Sequence, residues 1–215
     1  MNTPLEPTPD ARPIRTFMAA AISEAVRGKL TEIQARLKQA DADVGWVAPA
    51  NIHLTILFLG TVFESQASAL ATATDGITAG YQPCTLEVKG MGYFGRAQSP
   101  RVIWTGLTGN RLTGDRLTGD LQPLLALQTA IAAAAKKEGI YTDAKPFHPH
   151  LTIGRVRSAR NVGALLTVLE TCRDTAFGTT TIDRVLLMKS ELAARGPIYT
   201  ILHESRCALP KSAAS

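Results

Sequence analysis

The chain has 215 residues, of which 45% are hydrophobic and 19% are charged, and its formal net charge is +5. No apolar run approaches the length of a membrane span, the first residues lack the basic and apolar regions of a signal peptide, and three cysteines form neither an even disulfide set nor a C-x-x-C metal pattern. These features argue against membrane-spanning and disulfide-rich secreted classes. We expect a cytoplasmic protein with reduced cysteines and a core in one domain or two small lobes, and its modest positive charge suits a polyanionic partner.

The chain begins with a proline-rich leader. Residues 1–13 contain four prolines, a composition typical of disordered segments, and residues 210–215 are expected to form a tail. A single folded domain is therefore predicted over residues 14–209. It opens with an apolar strand at 14–20, followed by a helix that Ser23 can cap. Apolar residues recur on one face of that helix, at Val26, Leu30, Ile33 and Leu37.

The run 51–60 is rich in β-branched and apolar residues and ends at a glycine, which predicts a buried strand after a short one at 44–47. Side chains alternate across a strand, so His53 and Thr55 share one face, while Leu54 and Ile56 point to the other face, into a core. An ionisable side chain on so apolar a strand needs a partner or a function.

The middle of the chain predicts a helix at 65–74 and strands at 84–90 and 101–107. The glycine-rich segment 90–95 between these strands fits a turn better than a loop that faces a nucleotide. Residues 107–120 contain three near-identical units that begin with Leu-Thr-Gly. Because a five-residue unit with a helix-breaking glycine fits no solenoid period, we interpret the repeat as an insertion in a surface loop.

A long helix is predicted at 121–138, and the run 147–155 after it repeats the first motif. His150 and Thr152 share one face of this second strand, and Leu151 and Ile153 point to the other. A helix that begins at residue 161 and strands at 179–189 and 198–204, with a turn at 194–197, complete the chain.

The order of these elements predicts the fold class. Strands and helices are mixed without steady alternation, which favours an α+β fold with antiparallel sheets over a doubly wound fold. The order of the first half of the chain is nearly repeated in the second, with one His-x-Thr strand in each half. This near-repetition indicates two lobes related by pseudo-twofold symmetry.

Together the two motifs present two imidazoles and two hydroxyls, provided that their strands lie side by side across a cleft. An in-line displacement at phosphorus needs two such imidazoles, because one takes a proton from the attacking oxygen and the other gives a proton to the leaving oxygen. Threonine hydroxyls can donate to the non-bridging oxygens. Two other interpretations stay open. One is a pair of satisfied core histidines, and the other is a metal site of His53, His148 and His150 that would lack the usual carboxylate or thiolate ligands.

The two His-x-Thr-x motifs resemble those that define the two-histidine (2H) phosphoesterases. The residues around them resemble the LigT-like branch, the RNA 2′,3′-cyclic phosphodiesterases, and the resemblance runs from about Arg15 to Cys207. It rests on His53-Leu54-Thr55-Ile56, His150-Leu151-Thr152-Ile153, Trp46-Val47, Phe58-Leu59-Gly60, Phe147-His148-Pro149 and Arg155.

The resemblance implies a fold and an activity. The fold is a single bilobal α+β domain, in which antiparallel sheets of two pseudo-twofold-related lobes line a central cleft and helices lie outside. The activity is hydrolysis of RNA 2′,3′-cyclic phosphate ends to 2′-phosphomonoesters, without metal or cofactor, and the branch is also associated with reversible 2′-5′ RNA ligation. The expected partners are RNA ends, with tRNA fragments among the candidates, and we expect a monomer. Alternatives are another cyclic-phosphate or nucleotide phosphodiesterase of the superfamily and an RNA-binding protein without catalysis.

The resemblance also implies roles for the motif residues. His53 would be the acid that protonates the departing O3′, His150 the base that activates water, and Thr55 and Thr152 would hold phosphate oxygens.

Two further residues are candidate substrate contacts by the same resemblance. Arg155 matches an arginine of the branch, and Phe17 lies where the family often has an aromatic residue that can stack on a base. A core phenylalanine is the alternative interpretation of Phe17. Strict alternation places Arg155 on the face opposite His150, so it reaches the cleft only if the strand bends, for example at Gly154.

Overall fold

The computed structural model describes residues 13–109, 111–113, 116–118, 121–142, 146–193 and 196–208. The leader expected at 1–13 therefore lies outside the described residues except for Pro13, which begins the first strand. The tail expected at 210–215 lies outside them entirely, as do residues 194 and 195 of the expected turn.

Strands and helices make up most of the described chain. The strands are β1 (Pro13–Ala20), β2 (Val44–Trp46), β3 (Leu54–Phe63), β4 (Cys84–Arg96), β5 (Ser99–Gly109), β6 (Arg111–Thr113), β7 (Arg116–Thr118), β8 (His150–Val156), β9 (Ala176–Ile182), β10 (Arg184–Ala193) and β11 (Gly196–Arg206). The helices are α1 (Glu24–Lys38), α2 (Glu64–Thr78), α3 (Gln122–Lys137) and α4 (Val162–Glu170).

One antiparallel sheet organises the fold. Its strands follow the order β11-β10-β1-β3-β8-β5-β4-β9, and β2 pairs with the same edge of β8 as β3 does. We call β11-β10-β1-β3 the first lobe and β8-β5-β4-β9 the second lobe, which meet where Leu54 pairs with Leu151. The predicted α+β class with antiparallel strands is confirmed. The walls of the two lobes belong to one continuous sheet, however, and not to two separate ones.

Each lobe carries two helices. In the first lobe α2 packs on all four strands and against α3, whereas in the second α1 packs on β9 and α4 on β4. The predicted start of α1 is confirmed, since the Ser23 hydroxyl accepts a hydrogen bond from the Val26 N–H at 3.4 Å. Its predicted apolar face is buried. Within the described part of the chain, no helix is long and apolar enough to cross a membrane.

The lobes are not the two halves of the chain. The single strand expected at 179–189 is two strands, because the chain leaves β9 at Asp183 and enters β10 in the other lobe. The first lobe thus takes β1 and β3 from the start of the chain and β10 and β11 from its end, and the second lobe takes the strands between them. The near-repetition of element order in the two halves therefore does not mark the boundary between the lobes, because β1 pairs with β10, a partner far away in sequence.

Two other segments differ from expectation. Residues 90–95, interpreted as a turn, lie inside β4, and residues 91–95 pair with β5. The repeat does not begin in a loop, because residues 107–109 continue β5 and Leu107 is 4% exposed. The described residues of the repeat after 109 form β6 and β7, which pair with each other as a separate two-stranded sheet. Residues 110, 114–115 and 119–120 of the repeat lie outside the described residues.

Candidate active site

The two His-x-Thr strands meet at the centre of the sheet. Leu54 of β3 pairs with Leu151 of β8, and both leucines are fully buried. Because neighbours along a strand point to opposite faces, the histidine and threonine that flank each leucine lie on the cleft face. The antiparallel register turns each histidine toward the threonine of the other strand. The side chains brought together in this way are those of His53, Thr55, His150 and Thr152.

In each motif the histidine ring is held by the backbone two residues earlier. Nδ1 of His53 lies 2.8 Å from the carbonyl oxygen of Asn51, and Nδ1 of His150 lies 2.6 Å from that of His148. A carbonyl oxygen only accepts hydrogen bonds, so Nδ1 carries the proton in both rings and donates it. Nε2 is therefore the nitrogen that each ring offers for proton transfer.

The His53 ring is enclosed by aromatic residues of the first lobe. It stacks on Phe17 with ring centroids 4.9 Å apart, and the Tyr199 ring meets it edge-on at 5.4 Å. Its Nε2 lies 3.0 Å from the Thr55 hydroxyl oxygen. Phe17 is only 4% exposed, and its buried ring supports the His53 ring. The base-stacking role expected for Phe17 stays a prediction.

The His150 ring lies at the edge of a pocket in the second lobe. The Phe94 ring meets it edge-on, with centroids 4.9 Å apart. The pocket has a volume of about 330 Å³. It is lined by Phe94, Trp104, Gly106, His148, Pro149 and His150.

Burial controls the ionisation of both histidines. It lowers the pKa of His53 and of His150 below the ordinary histidine value, because the charged ring loses solvent. The carbonyl that accepts from each Nδ1–H opposes this effect on the pKa, and the positive charge of Arg155 adds to it in both rings. Both histidines are therefore mostly neutral at pH 7 in the free protein, with a lone pair on Nε2.

Arg155 reaches the histidines because β8 contains a bulge. Opposite β5, Ile103 pairs with Gly154 and Trp104 pairs with Thr152, so Ile153 is an extra residue on β8. Ile153 and Gly154 are consequently both buried, and Arg155 returns to the cleft face that Thr152 occupies. The bend that the sequence required for Arg155 is therefore present, one residue before the expected Gly154.

A buried glutamine of α1 holds the bulge. Gln34 is 1% exposed, and its Nε2 donates to the carbonyl oxygens of Ile153 and Val47, each at 2.8 Å. The Val47 N–H also donates to the Ile153 carbonyl, at 3.0 Å. The extra residue of the bulge thus has its backbone oxygen satisfied from two sides, which fixes the bend.

The two arginines after Arg155 have other surroundings. The guanidinium of Arg157 lies over Gly45, where a Cβ atom would come within 2.9 Å of its Nε. Arg160 forms an ion pair with Asp41 at 3.6 Å. Of these three arginines, Arg155 is the one whose charge acts on both motif histidines.

Sequence reasoning missed four residues at or near the cleft: Tyr199, Phe94, Trp104 and Gln34. Phe94 was missed because residues 90–95 were interpreted as a turn. A signal for Trp104 was present in the alternation of its strand, since Ile103, Thr105 and Leu107 are buried and Trp104 lies on the other face. Gln34 could have been noticed as the polar residue beside Ile33 on the buried face of α1.

The described residues do not include a cluster suited to a metal ion. Nowhere in that part of the chain do three or more His, Cys, Asp or Glu side chains come together in a way that could hold a metal. The fourth histidine, His203, binds the Asp75 carboxylate at 2.9 and 3.0 Å and joins β11 to α2.

A family model described as LigT like Phosphoesterase matches residues 21–104 and 119–199. The chain belongs to the LigT-like phosphoesterases. The resemblance to the 2H phosphoesterases is thereby confirmed, and residues 105–118, which hold most of the Leu-Thr-Gly repeat, fall between the matched segments.

Relatives of this LigT-like phosphoesterase have a stated activity. A protein of Thermotoga maritima named RNA 2′,3′-cyclic phosphodiesterase is 33% identical over 193 residues, which are 89% of this chain and 94% of that protein. A protein of Methanothermobacter thermautotrophicus with the same name is 31% identical over 187 residues, or 87% of this chain and 95% of the relative.

Solved structures share the fold. TT0787 of Thermus thermophilus has a TM-score of 0.72 and 25% identity, over 90% of this chain and 97% of that one. E. coli LigT in complex with 3′-AMP has a TM-score of 0.71 and 24% identity, over 92% of this chain and all of that one.

Proposed function

We propose that this LigT-like phosphoesterase hydrolyses RNA 2′,3′-cyclic phosphate ends to 2′-phosphomonoesters. The observation that carries the proposal is the pair of histidines on adjoining strands, each of which donates Nδ1–H to a carbonyl. Nε2 is then the proton-transfer atom of each ring, and in His53 it lies beside the Thr55 hydroxyl. Relatives named RNA 2′,3′-cyclic phosphodiesterase, at 31% and 33% identity over most of the chain, support the same substrate class.

Each of the two histidine rings carries out one proton transfer of the reaction. Nε2 of His150 takes a proton from water, whose oxygen forms a bond to phosphorus in line with the P–O3′ bond. That bond breaks as the Nε2–H of His53 gives its proton to O3′. The products are a 2′-phosphate and a 3′-hydroxyl, and solvent exchange restores the two protonation states. The Nδ1 contact is the same in both rings and does not distinguish the acid from the base, so the assignment of these two roles follows the family resemblance.

Charge on the phosphate oxygens is balanced by three side chains. The Thr55 and Thr152 hydroxyls donate to non-bridging oxygens, and the Arg155 guanidinium supplies the positive charge. Such donors stabilise the transition state most when they are already in position before the substrate arrives. The bulge at Ile153, held by Gln34, provides that preorganisation for Arg155.

The acid needs a proton that most of the free protein lacks at pH 7. Both histidines have a lowered pKa, because of burial first and of Arg155 among the further causes. A phosphodiester between the rings carries one negative charge, which raises the pKa of a nearby histidine and neutralises the effect of Arg155. Substrate binding therefore promotes protonation of the acid, while transfer to the base awaits the attacking water.

A direct test is product analysis with and without a chelator. Incubation with adenosine 2′,3′-cyclic phosphate should give adenosine 2′-phosphate, identified by ³¹P NMR, at an unchanged rate in EDTA, because the two rings carry out both proton transfers. Loss of activity in EDTA that a divalent ion restores would contradict the two-histidine mechanism. A panel of other cyclic phosphates, with RNA binding measured in parallel, separates the proposal from other superfamily activities and from a protein that only binds RNA.

The same site supports a second reaction. If a ribose hydroxyl replaces water as the attacking group, the chemistry joins two RNA ends in a 2′-5′ linkage, as the family resemblance suggests. Incubation of a cyclic-phosphate RNA with an excess of a 5′-hydroxyl RNA, followed by gel analysis, tests this reaction. Absence of a joined product at high acceptor concentration would limit the enzyme to hydrolysis.

A further inference from the structure

Two arginines continue the cleft face of β8 beyond the second motif. Val156 packs against the hydrophobic core, so Arg155 and Arg157 on either side of it point the other way, toward the cleft. Both arginine side chains are exposed. A strand rises about 3.3 Å per residue, so Arg157 lies about 7 Å further from the histidines than Arg155 does. The two cations therefore form a row that leads out of the catalytic centre.

A glycine of β2 provides the place for the Arg157 guanidinium. Gly45 pairs with Arg155, and a Cβ atom on Gly45 would lie 2.9 Å from Nε of Arg157, 3.0 Å from Nη2 and 3.2 Å from Cζ. The guanidinium thus occupies the space that a side chain at position 45 would fill. The backbone is also fixed at this point, because the Arg157 N–H donates to the carbonyl oxygen of Asp43 at 2.9 Å.

Neither of these two guanidinium groups is neutralised by a carboxylate in the part of the chain that the structure describes. The ion pairs found there involve other cations, and Arg160, three residues after Arg157, pairs with Asp41 at 3.6 Å. A planar guanidinium that is held in position can donate two parallel hydrogen bonds to a phosphate. Arg157 is therefore prepared for an anion that lies beside the one at Arg155.

On these grounds we propose that Arg157 binds the phosphate that joins the terminal nucleotide to the rest of an RNA strand. The enzyme then prefers a cyclic phosphate on a polynucleotide to one on a single nucleotide. The inference rests on the proposed function, in which Arg155 serves the reacting phosphate. The next phosphate of the strand is attached to the 5′ oxygen of the same ribose. The distance of about 7 Å between the two arginine positions is comparable to the spacing of successive phosphates in an extended strand.

This contact selects for length and not for sequence. A contact to a phosphate fixes the position of a strand and does not read its bases. Because Arg157 is exposed, solvent weakens the contact, and we expect it to increase kcat/KM by about 3- to 10-fold. One phosphate contact to a single strand should also contribute about 0.7 to the slope of log kcat/KM against log salt concentration.

The experiment uses three substrates that differ at this second phosphate. Adenosine 2′,3′-cyclic phosphate lacks it. A dinucleotide of 2′-deoxyadenosine followed by adenosine 2′,3′-cyclic phosphate has it as a phosphodiester. The methylphosphonate analogue of that dinucleotide has nearly the same shape without the negative charge. Because the first nucleoside has no 2′-hydroxyl, the linkage itself is inert in both dinucleotides.

In Arg157→Gln, kcat/KM for the phosphodiester should fall about 3- to 10-fold, mainly through KM, to near the wild-type value for the methylphosphonate. The values for the other two substrates should stay within about twofold, and the salt slope with the phosphodiester should decrease by about 0.7. Gly45→Ala keeps the charge but displaces the guanidinium, so it should cause part of the same loss. Arg160→Gln removes an equal charge nearby and is the matched control, with little change expected on any substrate.

Two kinds of result would overturn the proposal while the hydrolase stands. Equal losses on all three substrates, or no loss on the phosphodiester, would show that Arg157 binds no second phosphate. Equal losses on the phosphodiester in Arg157→Gln and Arg160→Gln would show that only the net charge of the protein matters.

Failure of the proposed function would give a different result, because the wild type would then turn over none of the substrates. Isothermal titration calorimetry with the two dinucleotides would still decide the contact. Tighter binding of the phosphodiester than of the methylphosphonate, lost in Arg157→Gln, would support the phosphate site. Equal affinities for the two dinucleotides would overturn it.

Discussion

At the scale of single residues, the site consists of two histidines with one constraint in common and different neighbours. Both rings donate Nδ1–H to a backbone carbonyl, which removes the tautomer that would place the proton on Nε2 of the neutral ring. His53 packs against Phe17 and Tyr199, whereas His150 borders a pocket. The roles of the two histidines therefore depend on how nearby charges change the pKa of two similar imidazoles.

We expect the positive charge of Arg155 to lower the pKa of both histidines. Its positive charge contributes to lowering the pKa of His53 and of His150, so Arg155→Gln should raise both pKa values. The alkaline limb of the kcat/KM profile should move to higher pH, because the acid in the free enzyme keeps its proton longer. NMR titration of the histidine Cε1–H signals measures the pKa values without any activity.

Arg155→Lys is the matched control, since it keeps the positive charge and loses the planar guanidinium. The histidine pKa values should stay near the wild-type values in this variant, while kcat/KM falls. Unchanged titration curves in Arg155→Gln would show that the guanidinium does not act on the rings.

The threonines should contribute less than the histidines. Thr152→Ala and Thr55→Ala each remove one hydroxyl that we propose to donate to a phosphate oxygen. A hydrogen bond to a charged group contributes about 1.5–3 kcal/mol, so kcat/KM should fall about 10- to 100-fold. Serine at the same positions keeps the hydroxyl and should restore most of the activity. A serine variant as impaired as the alanine variant would assign the methyl group, and not the hydroxyl, as the functional part.

At the scale of elements, the bulge in β8 determines what the strand presents to the cleft. Ile153 is inserted after the His-x-Thr triplet, and the face of every later residue changes with it. Gln34 of α1 satisfies the carbonyl of that extra residue from a buried position. A helix of the second lobe therefore takes part in orienting Arg155.

Replacement of Gln34 should remove this support of the bulge and of Arg155. Gln34→Leu leaves the carbonyls of Ile153 and Val47 without the amide donor, and we expect a loss of about 1–3 kcal/mol in the free energy of unfolding. Because Arg155 is then less fixed, the histidine pKa values should rise part of the way toward those of Arg155→Gln. Thermal unfolding and NMR titration measure the two effects.

Gln39→Leu makes the same chemical change at an exposed position at the end of α1 and serves as the control. It should alter neither the melting temperature nor the titration curves appreciably. A Gln34→Leu variant with lower stability but wild-type histidine pKa values would restrict Gln34 to a structural role.

Strand alternation predicted the face of some motif residues and not of others. The faces of His53, Thr55, His150 and Thr152 follow from the period of two, because each triplet lies before the irregularity in its strand. Arg155 lies beyond the bulge, where the alternation reverses. An extra residue leaves no mark in a run as apolar as this one, since Ile153 and Gly154 suit a buried strand in either register.

At the scale of the whole molecule, the two lobes are not consecutive segments of the chain. The first lobe combines β1 and β3 with β10 and β11, and the crossing between lobes at Asp183 takes one residue. Local patterns predicted most of the strands and helices but not this arrangement, because a continuous β-like run over 179–189 contains no sign that its two parts pair in different lobes. The α+β class needed only the order of the elements.

Because the first lobe combines strands from both ends of the chain, we expect the two lobes to unfold in one cooperative transition. Both tryptophans, Trp46 and Trp104, belong to strands that pair in the second lobe, whereas far-UV circular dichroism reports on both lobes. Met18→Ala creates a cavity beside β1 in the first lobe, at a cost of about 2–5 kcal/mol, and should lower both unfolding midpoints equally. A tryptophan midpoint that stays at the wild-type value would show that the lobes unfold independently.

The central claim is that His53 and His150 carry out acid and base catalysis on a cyclic phosphate. The most direct test is kcat/KM on a 2′,3′-cyclic nucleotide across pH for the wild type, His53→Ala, His150→Ala and the double variant. The wild-type profile should be bell-shaped, each single change should cost about 10²–10⁴-fold, and the double change should cost less than the product of the two, because both groups serve one proton relay. Near wild-type turnover by both single variants, with folding intact, would contradict the account and leave the two imidazoles as structural residues.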